Sequence, residues 1–356
     1  MKTYCIIMAG GVGSRFWPAS TSKTPKQFLD ILGTGQTLIQ QTYERFRFVC
    51  EPDSFLVVTN EDYKELVMEQ LPDLKEDQVL TEPTMRNTAP CIAYAAYKVA
   101  ANNEEANLIV TPADHLILKQ REFETTVNSA LEHISKYDDL VTLGIKPTRP
   151  DTGYGYIEYE AGSDRLQTVK QFREKPDLPT AEEFVESGNF AWNSGMFFWS
   201  LSTILEAFEK HLPLVKKCFD VYSDKFLNHS EGEVIDKLYN DCPAISIDFG
   251  IMEKADNVKV IEADIGWSDL GTWGSVYDVS EKDANQNVVI SGKTLLENAS
   301  GNVVNLTPEK VAILQDVQDL IIVETKDALL ISSKKSEQNI KPLRAKLGQQ
   351  FGDEHI

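Results

Sequence analysis

Short apolar runs alternate with helical patterns through the first 145 residues, and this rhythm constrains the fold more than any other feature of the chain. "YCIIMA" (4–9), "SFLVVT" (54–59), "NLIVTPADH" (107–115) and "DLVTLGI" (139–145) are continuous apolar stretches. Between them lie "TLIQQTYERFRFV", "EDYKELVMEQL", "APCIAYAAYKVAA" and "FETTVNSALEHISKY", each with apolar residues three and four apart. A strand that is apolar without alternation is covered on both faces, so the pattern predicts a mostly parallel, doubly wound α/β sheet of Rossmann-like type with helices on each side. In such sheets ligands bind beyond the C-terminal ends of the strands. From about residue 150 alternating strands appear in "YGYIEYE" and "QTVKQFREKP", with helices near 180–187 and 201–240. This reads as a β-rich insertion able to close over the first half. Beyond "NQNVVI" only short strands follow, "NVVNL", "KVAILQDV", "LIIVET" and "ALLISS", and then a terminal helix in "SEQNIKPLRAKLG" ending at Gly348. The chain thus divides into residues 1–284, the larger α/β domain, and 285–356, a small β-rich domain with the terminal helix; no hexapeptide repeat is regular enough to show a β-helix by periodicity. At 356 residues, one large domain plus a smaller one is also what size dictates.

The first strand runs into "MAGGVGSRFWPASTSKTPKQFL", residues 8–29, which places a glycine-rich loop at a strand end. Closely spaced glycines let backbone N–H groups approach a bulky anion. The loop is not a Walker loop, because the second glycine and the lysine of that pattern are missing. Nor is it a dinucleotide fingerprint, because Phe16 stands where the third glycine belongs, which disfavours a nicotinamide dehydrogenase. With 55 acidic and 35 basic residues the formal net charge is -20, so nucleic acid and anionic membrane surfaces are excluded as partners and an anionic ligand needs a local basic cluster. Five scattered cysteines without a C-x-x-C pair indicate neither a disulfide framework nor a zinc knuckle and fit a cytoplasmic protein. The apolar run at the N-terminus is too short for a signal peptide, and no stretch reaches the roughly 20 apolar residues of a membrane span.

Several stretches carry chemistry, and read singly each has two readings. Asp114 in "TPADH" is a solvated strand-end carboxylate or a ligand for Mg²⁺ against a triphosphate. Asp269 in "GWSDLGTW", or its neighbour Ser268, reads better as a helix N-cap than as a metal ligand. In "EPTMRNTAP" Thr88 caps a helix, leaving Arg86 and Asn87 either in a plain turn or free to read a base edge. Lys175 in "FREKP" and Lys254 in "FGIMEKA" are surface cations or ligand contacts; if the first segment is extended, Glu174 and Lys175 face opposite ways. "DTGYGY" and "AWNSGMFFW" are each a turn or the backbone of a sugar pocket. The five histidines suggest no catalytic triad, and His115 reads as structural.

In order along one chain, "AGGVGSRFWPAS", "PKQFL", "EPTMRNTAP", "PADH", "GYGYIE", "FREKP", "NSGMF", "FGIMEKA" and "GWSDLGTW" resemble the sugar-nucleotidyltransferase family from the first residues to about 275, and "RNTAP" and "GWSDLGTW" resemble its guanylyl branch. The resemblance implies transfer of GMP from GTP to α-D-mannose 1-phosphate, giving GDP-mannose and pyrophosphate with Mg²⁺. It assigns Ala9, Gly10, Gly11, Gly13, Ser14, Arg15 and Lys26 to the nucleotide, with Glu82, Arg86, Asn87 and Thr88 at the guanine. Gly153, Tyr154, Glu174, Lys175, Asn193, Gly195, Glu253 and Lys254 fall to the sugar phosphate, and Asp114 and Asp269 to the metal. Arg15, Lys26, Asp114, Lys175 and Asp269 are the catalytic set. Long members continue into a phosphomannose isomerase cupin domain that this chain does not reach, so only the guanylyl transfer is expected. Short members carry a compact β-helix-like C-terminal region involved in dimer contacts, which implies a homodimer and a β-helix-like fold over about 285–345. The alternatives are a guanylyltransferase for another sugar 1-phosphate, heptose or fucose, and a regulatory subunit that binds nucleotide sugar without turnover; the intact basic and acidic residues favour an enzyme.

Overall fold

The computed structural model describes residues 1–102, 105–162, 165–353 and 356. The chain packs as two compact units. One comprises Met1–Gly10, Tyr43–Pro112 and Ile117–Trp267; the other comprises Gly11–Thr42, Ala113–Leu116 and Ser268–Ile356. Segments 11–42, 113–116 and 268–284 therefore pack with residues 285–356.

The first unit is built on a nine-stranded sheet, in spatial order Val79–Glu82, Phe55–Asn60, Lys2–Met8, Ala106–Pro112, Phe190–Ser200, Leu140–Ile145, Val258–Ala263, Leu166–Arg173 and Tyr156–Tyr159. The first four are mutually parallel, as are Leu140–Ile145 and Val258–Ala263. Phe190–Ser200 and Leu166–Arg173 run against the rest. The apolar runs are buried as continuous segments: Cys5, Ile6, Ile7, Leu108, Ile109, Val110, Leu140 and Val141 have no exposed surface. The strands after residue 150 do not form a separate insertion, because Tyr156–Tyr159 and Leu166–Arg173 extend the same sheet. Helix Thr88–Ala100 is buried nearly all round, since it packs on the sheet and also on the helices Leu201–His211 and Pro213–Asp220. The predicted helical region 201–240 is four helices, Leu201–His211, Pro213–Asp220, Ser223–Leu227 and Ile235–Asp241. Pro213 starts the second, and His229, at φ 53°, marks the break before the last.

The second unit has its own core, in which Phe16, Trp17, Leu270, Trp273, Val303, Ile321 and Ile340 are buried together. Its C-terminal strands pair in parallel from one coil to the next: Val288 lies beside Val303, Val303 beside Ile321, and Lys293 beside Val311. The first offset is 15 residues (303 minus 288) and the other two are 18 (321 minus 303, 311 minus 293), so the chain returns on itself as coils of a β-helix. Buried asparagines tie successive coils. Asn302 donates through Nδ2 to Asn287 Oδ1 at 2.9 Å, while its own Oδ1 accepts from Leu320 N at 2.9 Å. A fully satisfied polar ladder of this kind fixes register where a one-residue slip would bury unpaired amides. The terminal helix spans Ile340–Phe351 and continues through Gly348, where the sequence predicted its end. A Cβ on Gly348 would lie 2.8 Å from the Ile356 side chain, so that glycine admits a close approach, and Gly352, at φ 95°, ends the helix.

Candidate active site

In the second unit the glycine loop, two carboxylates and two cations line one cavity of about 240 Å³. Gly13, at φ 66°, enters the short turn Ser14–Phe16, and Phe16 N donates to Gly13 O at 3.0 Å. A Cβ built on Gly13 would sit 2.3 Å from the Lys26 Cβ, so only glycine lets the loop pass over Lys26. The other loop glycines are under no such demand: a Cβ on Gly11 meets nothing within 4 Å, and in the first unit one on Gly10 meets only Met85, at ordinary contact distance. Lys26 opens the turn Lys26–Phe28 with 4 % of its surface exposed. A buried ammonium needs partners, and Lys26 Nζ has two: Asp114 Oδ2 at 2.9 Å and the Asp269 carbonyl at 2.5 Å. Burial pushes the Asp114 carboxyl up, but the charges of Lys26 and His115 and the Lys26 hydrogen bond outweigh it and hold Asp114 below the usual carboxylate value.

Asp269 and Ser268 are not helix caps. Helix Trp273–Val279 is capped by Thr272, which accepts from Ser275 N at 3.3 Å while Ser275 Oγ accepts from Thr272 N at 3.0 Å. Asp269 Oδ1 instead accepts from Gly271 N at 3.1 Å, and Ser268 Oγ from Leu270 N at 3.1 Å. Asp269 therefore stands on the cavity wall with Asp114, Arg15 and Ser14.

In the first unit Ala9 follows the first strand and is pinned by its backbone: its N–H donates to Val58 O at 2.8 Å, and its carbonyl accepts from Thr59 Oγ1 at 2.9 Å. Glu82 ends the strand Val79–Glu82 and is 5 % exposed, and its Oε1 has no hydrogen-bond partner among the described residues. Burial pushes its carboxyl up to about 7. The cap of helix Thr88–Ala100 is Asn87 and not Thr88. Asn87, at φ 67°, accepts from Thr88 N at 2.9 Å, and asparagine tolerates that backbone region better than threonine. The Thr88 hydroxyl is taken by Ile247 N at 2.9 Å. Arg86 donates from Nη2 to Asn240 O at 3.4 Å and accepts at its carbonyl from Ile245 N at 3.2 Å, so residues 240–247 brace the loop.

The Glu82 shift has a sign that can be tested. Its folded value lies above the ordinary glutamate value, so the protein binds this proton more tightly folded than unfolded. Its contribution is complete below about pH 4.5 and is lost as pH rises through about 7. Relative to Glu82→Gln, the wild-type protein is expected to lose about 2–3 kcal/mol of stability between pH 4.5 and 8. Urea unfolding of both proteins across that range checks it, and parallel curves would contradict it.

A second cluster in the first unit gathers most of the residues assigned to the sugar phosphate. Tyr154 packs edge-on against Trp192 and Trp267, with ring centroids 5.0 and 5.3 Å away. Gly153 N donates to Asp151 Oδ1 at 2.8 Å, which makes "DTGYGY" a turn. "AWNSGMFFW" is not a turn: it lies within the strand Phe190–Ser200, where Gly195, at φ 69°, sits opposite an irregularity in the pairing at Thr142 and Gly144. Asn193 donates through Nδ2 to Asp248 Oδ1 at 2.7 Å and accepts from Gly195 N at 3.0 Å. The condition under which Glu174 and Lys175 would face apart, an extended segment, is not met. The strand ends at Arg173 and the backbone turns to φ 36° at Lys175, so Lys175 Nζ meets Glu174 Oε1 at 2.8 Å. Burial, then the carboxylates of Asp248 and Glu174, push Glu253 up, while Lys254 beside it opposes them.

Asp248 was not singled out from the sequence. It stands directly before "FGIMEKA" and opens the π-helical turn Asp248–Met252, whose i to i+5 spacing the 3.6-residue pattern does not reveal. Burial pushes its carboxyl up against the pull of Asn193. The signal for it was the carboxylate itself, one position upstream of a recognised motif.

A mixed sheet whose first four strands are parallel, with a glycine loop after the strand Lys2–Met8, and a cavity holding a buried lysine beside two aspartates suit a nucleotide-handling transferase. The chain belongs to the nucleotidyl transferase family, whose model matches residues 4–286. It is 36 % identical to a mannose-1-phosphate guanylyltransferase of Escherichia coli over 98 % of this chain and 76 % of that protein. It is 37 % identical to the alginate biosynthesis protein AlgA of Pseudomonas aeruginosa over 94 % of this chain and 70 % of that one. Among solved structures it is similar to one described as a mannose-1-phosphate geranyltransferase from Thermus thermophilus, with TM-score 0.88 and 30 % identity over 98 % of this chain and 99 % of the other.

Proposed function

We propose that this protein transfers GMP from GTP to α-D-mannose 1-phosphate, releasing GDP-mannose and pyrophosphate. The observation that carries the reading is the cavity of Gly13, Arg15, Lys26, Asp114 and Asp269, taken with the guanylyltransferase relatives over nearly the whole chain. A sugar 1-phosphate is a nucleophile at neutral pH, so no covalent enzyme intermediate is needed. One of its phosphate oxygens bonds to the α-phosphorus of GTP, and the bond from that phosphorus to the bridging oxygen breaks as pyrophosphate leaves. The enzyme's task is to align two anions and offset the charge that builds on the leaving group.

Arg15 and Lys26 serve the triphosphate, with the backbone of Gly11, Gly13 and Ser14 around it, while Ala9 and Gly10 lead into the loop. Glu82, Arg86, Asn87 and Thr88 serve the guanine. Lys175 serves the sugar phosphate, with Gly153, Tyr154, Glu174, Asn193, Gly195, Glu253 and Lys254 about the sugar. Asp114 and Asp269 suit Mg²⁺, which takes one or two carboxylates and completes its shell with phosphate oxygens and water. When bound, the ion offsets charge on the phosphates. Lys26 holds Asp114 ionised, the state a metal ligand requires.

The reading takes 1–284 as the catalytic domain and 285–356 as the β-helix-like domain, in a cytoplasmic homodimer that binds neither nucleic acid nor membrane. The negative net charge and the five free cysteines support the setting. Leu295 and Ile313, paired across the ribbon Lys293–Glu297 and Val311–Gln315, are more than half exposed and support a contact between copies. Sedimentation is expected to give twice the chain mass, and a single-chain species at micromolar concentration would remove the dimer from the reading. The reaction is tested in reverse: GDP-mannose and pyrophosphate with Mg²⁺ are expected to yield GTP. Binding of GDP-mannose without GTP formation would instead mark a regulatory subunit.

A further inference from the structure

Arg15 lines the cavity of the second unit, yet its guanidinium makes one hydrogen bond among the described residues, from Nε to Gln338 Oε1 at 3.0 Å. A guanidinium carries five donors in a rigid fork; with Nε occupied, the four on Nη1 and Nη2 remain for two parallel bonds to phosphate oxygens. Gln338 belongs to the short turn Lys334–Asn339, ahead of the terminal helix. Its neighbour Glu337 accepts through Oε2 from Gly274 N at 2.8 Å, in the first turn of helix Trp273–Val279. A Cβ on Gly274 would lie 2.6 Å from that oxygen, so any larger residue there would push the Glu337 carboxylate aside. That helix begins four residues after Asp269. Two consecutive side chains of one C-terminal turn thus hold Arg15 and the segment that follows Asp269. Helix Ile340–Phe351 also packs on the turn Ser14–Phe16, and Ser22 N donates to the carbonyl of Ile356 at 3.2 Å.

We infer that Gln338 is a positioning residue that orients the Arg15 fork toward the nucleotide phosphates, so that the C-terminal turn sets the affinity for GTP. The inference rests on the reading that Arg15 serves the triphosphate. Gln338 is exposed and its loss leaves no buried group unpaired, so Gln338→Ala is expected to fold normally. An exposed bond to a charged group is a modest contribution. The variant is expected to raise KM for GTP roughly threefold to tenfold while kcat and KM for mannose 1-phosphate stay within about twofold.

A double-mutant cycle with Arg15→Ala separates positioning from a general structural effect. Gln338→Ala is expected to raise KM for GTP in the wild-type background and to add nothing once Arg15 is gone. An equal rise in both backgrounds, or no rise in the wild type, overturns the inference while an impaired Arg15→Ala leaves the proposed function standing. If Arg15→Ala itself leaves KM for GTP unchanged, the role of Arg15 falls and the inference with it.

Discussion

Asp114→Asn is expected to lower kcat by about a thousandfold, roughly 4 kcal/mol of transition-state stabilisation, in a protein that remains folded. Asparagine keeps the shape and one acceptor oxygen but removes the charge that both Lys26 and a divalent ion require. The same change is expected to weaken the fold by about 1–3 kcal/mol. Lys26 is almost fully buried and loses its ionised partner, while Asp114, about one-third exposed, is partly screened by water. Turnover is therefore measured below the melting transition, with circular dichroism as the check on folding. Wild-type kcat in a folded Asp114→Asn protein would remove Asp114 from the proposed metal site.

Lys26→Met is expected to reduce kcat/KM for GTP by about two to three orders of magnitude, because it removes the one cation that the loop holds buried against the cavity. Methionine fills nearly the same volume, keeps contact with Gly13 and still packs against the Phe16 ring, over which Lys26 Nζ lies 5.7 Å from the centroid. The lost interaction is thus charge and not packing. Steady-state kinetics well below the melting transition separates the two: the broken Lys26–Asp114 pair is expected to lower the melting temperature, but kcat/KM for GTP is expected to fall in the fully folded protein as well, and a protein that merely melts earlier at unchanged kcat/KM would make Lys26 structural.

Much of the first unit was legible because its strands are covered on both faces, so burial writes itself into the chain as uninterrupted apolar runs at Cys5–Ile7, Leu108–Val110 and Leu140–Val141. Strand direction is not written in the same way. Phe190–Ser200 is as apolar as its neighbours but runs against them, and nothing in its periodicity distinguishes the two orientations. The β-helix coils were hidden for a related reason: their repeat is carried by backbone pairing and by Asn287 and Asn302, not by a recurring side-chain pattern.

At the site, Lys26 and Asp114 were readable as chemistry-bearing residues, but their ion pair joins positions 88 residues apart and only tertiary structure makes it. Asp269 was open between cap and ligand because Ser, Asp and Thr all suit an N-cap. The reciprocal Thr272 and Ser275 bonds take the cap and leave Asp269 to the cavity. Asn87 displaced Thr88 as a cap because the backbone enters that helix at positive φ, a property of the turn that residue type only hints at. Asp248 stayed hidden behind a π-helical turn.

Pyrophosphate release by the purified protein with Mg²⁺, across four nucleoside triphosphates and mannose, glucose, fucose and heptose 1-phosphates, tests the central claim most directly. Release confined to GTP with mannose 1-phosphate is the predicted result. Release with another nucleotide would contradict the guanine assignment of Glu82, Arg86, Asn87 and Thr88, release with GTP and a different sugar would contradict the mannose assignment, and no release from any pair would contradict the assignment of this cavity to nucleotidyl transfer.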